Sequence, residues 1–330
     1  MKSTRTELYK ALPLSNPFLV QIFPSYACNF KCGYCLHFLP REQHGFISSV
    51  TNMDFELYKR AIDDMANAGW KLKMLRFAAL GEPLLHPQIA DMVKYAVDLG
   101  VAETVDIVTN GALLSHNMSD ALIDAGLSTL RISLEGLSSE EYLKNCGADI
   151  DFDKLRANIE YFYNNSKNTE VYVKIIDYML EGTGDKEKQF NDLFKPICNR
   201  IAIEHLTPTV ENIDYSKISN DIQNLTQEGT ELLTVKICPQ PFYMMQINPD
   251  GNIVPCCSTE YPLILGNSQT DGAVNAWNGA KFTEFRLNML DGASGASAAC
   301  AKCSLYRYGT FSEDVLDGYE SYLKERYKNL

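Results

Sequence analysis

Hydrophobic residues along this chain fall into short runs separated by amphipathic stretches. Six runs, Phe18–Phe23, Met74–Ala78, Thr104–Thr109, Thr129–Leu134, Val171–Asp177 and Arg200–Leu206, are rich in β-branched or other apolar residues and predict strands. Their near-continuous apolar character is that of buried parallel strands. Between them the period lengthens to that of a helix. Thr51 and Asp54 form a capping box ahead of Tyr58, Ile62 and Met65, and Gly69 suits the C-terminal cap. Pro87 suits a first helical turn ahead of Ile89, Met92, Val93 and Ala96, with Gly100 as the stop. Leu155, Ile159 and Phe162 make a further stripe. Six strand–helix units in series predict an α/β fold, a parallel sheet with helices outside it. Right-handed crossovers curl such units into a partial barrel or an open doubly wound sheet, and the pattern does not choose between them. Either architecture keeps its ligand site beyond the C-terminal strand ends.

The character of the chain changes after about residue 212. The stretch Asn212–Glu231 is polar and predicts a connector with one short helix. Two apolar runs then flank Pro249, Asp250 and Gly251, which is the pattern of a β-hairpin between Tyr243 and Val254. A terminal helix is expected over Ser312–Lys328. The chain therefore reads as two domains, 1–212 and 213–330.

The net charge of −12, with no Lys/Arg cluster, argues against tracking a phosphate backbone, so no nucleic-acid partner is expected. No stretch approaches the roughly 20 apolar residues of a membrane span, and the charged, proline-interrupted N-terminus does not read as a signal peptide. A cytoplasmic location follows as the default. Ten cysteines in a reducing compartment call for metal chemistry, catalysis or plain burial rather than disulfides.

Cys28, Cys32 and Cys35 lie just after the first strand. Three thiolates on one loop can converge on one centre, and thiolates ligate both iron–sulfur clusters and structural zinc. A four-iron cluster held by three ligands keeps one iron open to a substrate or cofactor. The bland alternatives are a zinc site completed by His37, or three unrelated buried cysteines.

The CxxxCxxC spacing after a first strand, with the aromatic Tyr34 before the last cysteine, resembles the radical S-adenosylmethionine (SAM) superfamily. The resemblance spans about residues 17–210 and implies a partial (β/α)6 barrel. It also implies a [4Fe–4S] cluster on Cys28, Cys32 and Cys35, with SAM chelating the fourth iron, and an external electron donor such as flavodoxin or ferredoxin. An electron from the cluster then breaks SAM, and the 5′-deoxyadenosyl radical takes a hydrogen atom from substrate. Gly81, Glu82 and Pro83 resemble the end of the family's GGEP segment, which contacts the SAM amino group; Leu80 replaces its first glycine. Asn110 at the third strand end and Ser133, which with Glu135 ends the fourth, match further positions of the family, where the serine often contacts ribose or carboxylate. The arginine that many relatives place after the fourth strand is missing, and Lys144 stands in its neighbourhood. Cys146 and Cys198 have no partners at ligand spacing and read as structural.

A second cysteine set comprises Cys238, the adjacent pair Cys256 and Cys257, and Cys300 with Cys303. Four thiolates from three segments would close a metal site, and spacing alone leaves zinc and iron–sulfur open. The order Cys238, Val254-Pro255-Cys256, Trp277, Phe282, Arg286, Cys300 and Cys303 resembles the SPASM/Twitch extension of radical SAM enzymes. That resemblance implies one auxiliary [4Fe–4S] cluster on Cys238, Cys256, Cys300 and Cys303, with Cys256 favoured over Cys257 because it follows Val-Pro.

The second set is also similar in spacing to an aminocyclitol dehydrogenase of antibiotic biosynthesis. It implies oxidation of a hydroxylated, sugar-like small molecule, the auxiliary cluster accepting an electron. The same extension serves peptide-modifying enzymes, which remain the alternative. Only Met1–Pro17 precede the first strand, too few for a leader-recognition domain, and this favours the small molecule. Arg76, Lys174, Asp177, Glu204 and His205 are the polar residues near strand ends from which a base would come. A zinc-stapled binding module is the non-enzymatic alternative, and it gives no reason for a three-ligand site beside a glycine–acid loop.

Overall fold

All six expected strands form in a computed structural model of the chain, which describes residues 5–182, 184–219, 222 and 224–329. They are β1 (Leu19–Ile22), β2 (Leu72–Phe77), β3 (Ala102–Thr109), β4 (Thr129–Leu134), β5 (Glu170–Ile176) and β6 (Arg200–Glu204). Each pairs in parallel with its sequence neighbour. The intervening helices are α1 (Phe55–Asn67), α2 (Ile89–Leu99), α3 (His116–Asp124), α4 (Ser139–Cys146), α5 (Phe152–Asn165) and α6 (Lys186–Phe194). Because β1 to β6 follow one another in a single direction across the sheet, every crossover steps the same way. Right-handed connections then stack all the helices on one face. A doubly wound sheet would reverse its strand order partway; this one does not. The sheet ends at β6 on one side, so it is an open, partial barrel.

Strand alternation sorts the two faces. Val20, Ile22, Leu75, Phe77, Ile107, Leu130, Ile132, Val173 and Ile175 are buried in one core with Tyr58, Ile62, Met92, Val93, Ile159 and Phe162 of the helices. The intervening positions Gln21, Arg76, Asp106, Arg131, Ser133, Tyr172, Lys174 and Glu204 carry the opposite, polar face. The runs are therefore less uniformly apolar than parallel strands covered on both sides, and the polar face is the inside of the partial barrel.

Helix ends follow local chemistry with two corrections. Asp54 is itself the N-cap of α1, accepting from the Leu57 amide at 3.0 Å, while Thr51 only lends its carbonyl to the Tyr26 amide. Pro87 lies ahead of Gln88, the N-cap of α2, rather than in its first turn. Gly69 and Gly100 take left-handed conformations just past α1 and α2, where a side chain would be strained. The terminal helix is also shorter than expected. A single turn at Ser312–Asp314 and a helix at Glu320–Lys328 are parted by Gly318, whose φ of +90° no right-handed helix can hold.

The C-terminal hairpin forms as β7 (Met244–Ile247) and β8 (Asn252–Val254), and β9 (Gly266–Asn267) follows. β7 does more than pair with β8. It runs parallel to β1 in register Leu19 with Met244 through Ile22 with Ile247, so one nine-stranded sheet crosses the whole chain. The polar connector holds one turn at Tyr215–Lys217; residues 220, 221 and 223 of it lie outside the described residues. Arg286 is buried beneath this half. It donates to the carbonyls of Pro241 and Trp277, each at 3.0 Å, and its guanidinium lies 3.9 Å from the Trp277 ring centroid. Among the described residues no helix is long and apolar enough to cross a membrane.

Candidate functional site

The loop carrying Cys28, Cys32 and Cys35 leaves the C-terminal end of β1 and is clamped from two sides. The first clamp is the segment after β2. Gly81 lies so close that a Cβ there would sit 1.8 Å from the Ser25 carbonyl oxygen, and the Glu82 amide donates to the Ala27 carbonyl at 2.8 Å. The second clamp is the end of α4. The amides of Lys31 and Gly33 donate to the carbonyls of Cys146 and Asn145, at 2.9 and 3.1 Å. Those carbonyls are the unpaired acceptors that every helix C-terminus leaves, so the cysteine loop and α4 satisfy each other.

Glu82 is buried, not the exposed loop acid its sequence context allows. One carboxylate oxygen accepts from Thr109 Oγ1 at 2.6 Å and the Leu84 amide at 2.9 Å; the other accepts from the Asn110 amide at 2.8 Å. Burial nevertheless holds its pKa above the usual carboxylate value. Three donors leave one acceptor position for an ammonium. Asn110 Nδ2 reaches Asn29 Oδ1 at 2.8 Å, linking the end of β3 to the cysteine loop. Pro83 starts the short turn Pro83–Leu85 that Glu82 caps. Gly81, Glu82, Pro83, Asn110 and the three cysteines thus meet at one end of the sheet. Ser133 stands on the polar face of β4, in register with Lys174 of β5. Lys144 is exposed in the last turn of α4.

The structure gives partners to two residues that the sequence placed at element ends without assigning them to the site. Glu135, just past β4, accepts from the Tyr34 hydroxyl at 2.7 Å, and its second oxygen has no partner among the described residues. Burial pushes its pKa up to about 7. Cys146, read as structural, donates its thiol to the Tyr142 carbonyl at 3.0 Å and is the leading influence on the Cys32 thiol. A lone acid after a strand and a lone cysteine ending a helix carry no local pattern; only the fold brings them beside the loop.

All three loop thiols are held in the neutral form. Burial pushes Cys28 up to about 12, with Glu82, Cys35 and Glu135 adding to it. Cys32 is raised first by the neighbouring Cys146 thiol and then by burial, and Cys35 by burial. No cationic side chain is among the leading influences on them. Soft, buried thiols of this kind ionise only against a metal's own charge. His37, the fourth ligand of a zinc alternative, is turned to the Leu80 carbonyl instead.

Cys238, Cys256, Cys300 and Cys303 line a single cavity with Pro241, Phe285, Met289 and Tyr306. Cys257 does not line it. Its thiol faces Gln240 Oε1 at 3.9 Å and interacts electrostatically with Arg76 on the polar face of β2. Burial and mutual repulsion raise the thiols of Cys238 and Cys256. Among the described residues no three His, Cys, Asp or Glu side chains gather tightly enough for a single metal ion. Four thiols around one cavity are a soft donor set of the kind that iron–sulfur clusters and structural zinc both take.

Between the two cysteine sets lies an open cleft of about 640 Å³. Leu36, His44 and Phe46 line it from the first loop, Thr209 and Val210 from beyond β6, and Ser258, Tyr261 and Cys303 from the C-terminal half. Of the other candidates, Lys174 pairs with Glu204 at 2.6 Å, and His205 Nδ1 with Asp177 at 2.8 Å.

Comparison with known proteins agrees with this arrangement. Residues 22–194 match the Radical SAM superfamily, and residues 238–304 match the iron–sulfur cluster-binding domain SPASM. The chain is 24% identical over 320 residues to the tungsten-containing aldehyde ferredoxin oxidoreductase cofactor-modifying protein of Pyrococcus furiosus, covering 84% of this chain and 85% of that protein. It is 31% identical over 168 residues to the GTP 3',8-cyclase of Chlorobaculum tepidum, which spans 51% of this chain and 47% of the cyclase. Among solved structures, BtrN in complex with AdoMet and 2-DOIA superposes with a TM-score of 0.55 at 19% identity, over 92% of this chain and 96% of that one. Streptococcus suis SuiB bound to precursor peptide SuiA gives a TM-score of 0.62 at 16% identity, over 92% and 73% of the two chains.

Proposed function

The chain belongs to the radical SAM superfamily and carries a SPASM-type iron–sulfur domain, and from that premise we propose that it dehydrogenates a hydroxylated, sugar-like small molecule. Cys28, Cys32 and Cys35 would hold the SAM-binding [4Fe–4S] cluster; Cys238, Cys256, Cys300 and Cys303 would hold one auxiliary cluster. When bound, the first cluster supplies the electron that cleaves SAM, and the second offers an acceptor for the electron that carbinol oxidation releases. Glu82, with its one free acceptor position, would receive the SAM ammonium. Tyr34, Gly81, Pro83 and Asn110 would shape that pocket, and Ser133 would face the nucleoside. The division near residue 212 would separate the SAM-cleaving part from the cluster-bearing extension. An external one-electron donor completes the cycle.

The observation that carries this reading is the cavity lined by four thiols. With four protein ligands an auxiliary cluster has no vacant position for substrate, which suits it to electron transfer. The polar inside face of the barrel supports a hydroxylated substrate. Peptide modification is the second reading, favoured by the volume of the cleft, about 640 Å³. The test is anaerobic incubation of the reconstituted chain with SAM, reductant and two panels, polyols and peptides. A ketone formed from a polyol alongside 5′-deoxyadenosine supports the proposal. Products from peptides alone would replace it with the second reading.

A further inference from the structure

Two arginines converge on one carboxylate inside the partial barrel. Arg131 Nε donates to Asp106 Oδ2 at 3.0 Å, and Arg76 Nη2 lies 3.6 Å from the same oxygen. Strand register explains the meeting. Arg76 of β2 sits directly across from Asp106 of β3, and Arg131 of β4 reaches it diagonally from the position opposite Val108. All three project from the polar face, away from the helix-covered core.

The cluster is undercompensated. Two guanidiniums against one carboxylate leave a surplus positive charge in a chain whose net charge is −12. Arg76 is poorly served besides. Its Nη2 donates to the Met74 thioether at 3.0 Å, a weak acceptor, and its Nε has no partner among the described residues. Asp106 is fully buried, with Oδ1 likewise unpartnered. Burying a charge with donors unsatisfied destabilises a fold unless something else supplies the missing contacts. The two arginine side chains keep 25% and 19% of their surface exposed, so they remain reachable from the barrel interior. The neighbouring pair Lys174 and Glu204 is already matched. Arg76 also interacts with Cys257, the residue after Cys256, which sets it on the side of the auxiliary thiols.

We propose that Arg76 and Arg131, braced by Asp106, form a subsite for an anionic group of the substrate, a carboxylate or a phosphate. This deepens the function proposed above and rests on it: the substrate becomes a polyhydroxylated acid or a sugar phosphate. A planar guanidinium pair is the usual protein answer to either anion. Asp106 fixes the two forks; it does not touch the ligand.

The test uses the full chain with both clusters reconstituted anaerobically and SAM bound. Gluconate and inorganic phosphate are the anionic probes, with glucose as the neutral comparison, titrated by calorimetry. At least one anion should bind, and glucose should bind at least about tenfold more weakly. Arg76→Gln and Arg131→Gln should each weaken the anion about tenfold or more, and Arg76→Lys less. The SAM dissociation constant should stay at the wild-type value. Should Arg76→Gln fail to retain its iron, Arg131→Gln and Arg131→Lys carry the same comparison. Three results would overturn the proposal: no binding of either anion, equal binding to wild type and variants, or weaker SAM binding in the variants, which would assign the arginines to the SAM carboxylate. Wild-type iron content and 5′-deoxyadenosine formation are read on the same samples. If these are intact while anion binding fails, only the subsite falls. If wild-type SAM cleavage itself is absent, the proposed function falls with it.

Discussion

Glu135 shows how one residue can set a pH dependence of unusual sign. Burial raises its folded-state pKa from 4.5 to about 7, while one oxygen accepts from Tyr34. The folded chain therefore binds a proton at Glu135 more readily than the unfolded chain does. Between those two values stability falls as pH rises, the reverse of an ion-paired carboxylate. The shift corresponds to about 3 kcal/mol. In the cluster-free chain, Glu135→Gln should match wild type near pH 4 and exceed it by up to about 3 kcal/mol near pH 8. Urea unfolding under chelator at both pH values checks this; a variant less stable at the higher pH contradicts it. A second residue-scale prediction separates the adjacent cysteines. Cys256 lines the four-thiol cavity and Cys257 faces Arg76. Cys256→Ser should lower iron from about eight to about four per chain, and Cys257→Ser should keep about eight. The reverse pattern would assign the ligand to Cys257. Sequence spacing singled out the cysteines and Glu82 because each belongs to a short motif. It gave no role to Glu135, read Cys146 as structural and was silent on Asp106 and Arg131, because their partners are distant in sequence and meet only through strand register and helix docking.

At the scale of elements, the loop Leu80–Pro83 is the part with least room to move. Gly81 presses its backbone on the Ser25 and Ala27 carbonyls, and these are backbone atoms that cannot swing aside. Gly81→Ala should push the loop away from the cysteine segment and carry Glu82 with it. Overpacking of this kind costs roughly 1–3 kcal/mol even where side chains can yield. The variant should unfold at a lower temperature and bind SAM at least about tenfold more weakly. Unchanged SAM affinity, read by equilibrium dialysis, would show that the loop has slack the geometry does not reveal. The strands and most helix ends were legible because apolar period, caps and glycines are local signals. The terminal helix was misread for a related reason: Gly318 interrupts an otherwise polar, helix-forming stretch, and one glycine does not announce whether its φ is positive.

Across the whole molecule, one sheet runs through both sides of residue 212, where the sequence reading divides the chain. The parallel pairing of β7 with β1 was invisible, because it joins residues more than two hundred positions apart through a register that no local pattern encodes. Without β7, β1 becomes an edge strand exposing unpaired amides and carbonyls beside Val20 and Ile22, both fully buried in the complete chain. Exposed apolar edges of this kind recruit other chains. A chain ending after residue 235 should therefore be recovered mainly as aggregate, although it retains β1 to β6 and all three loop cysteines. Size-exclusion chromatography and circular dichroism of the soluble fraction decide the matter. A soluble monomer with the helix content of residues 1–235 would mean that the partial barrel closes its own edge, and that the C-terminal half contributes its thiols alone. Aggregation rescued by supplying residues 236–330 as a separate chain would identify the β1–β7 seam as the contact that holds the SAM-side loop and the auxiliary cavity in one frame.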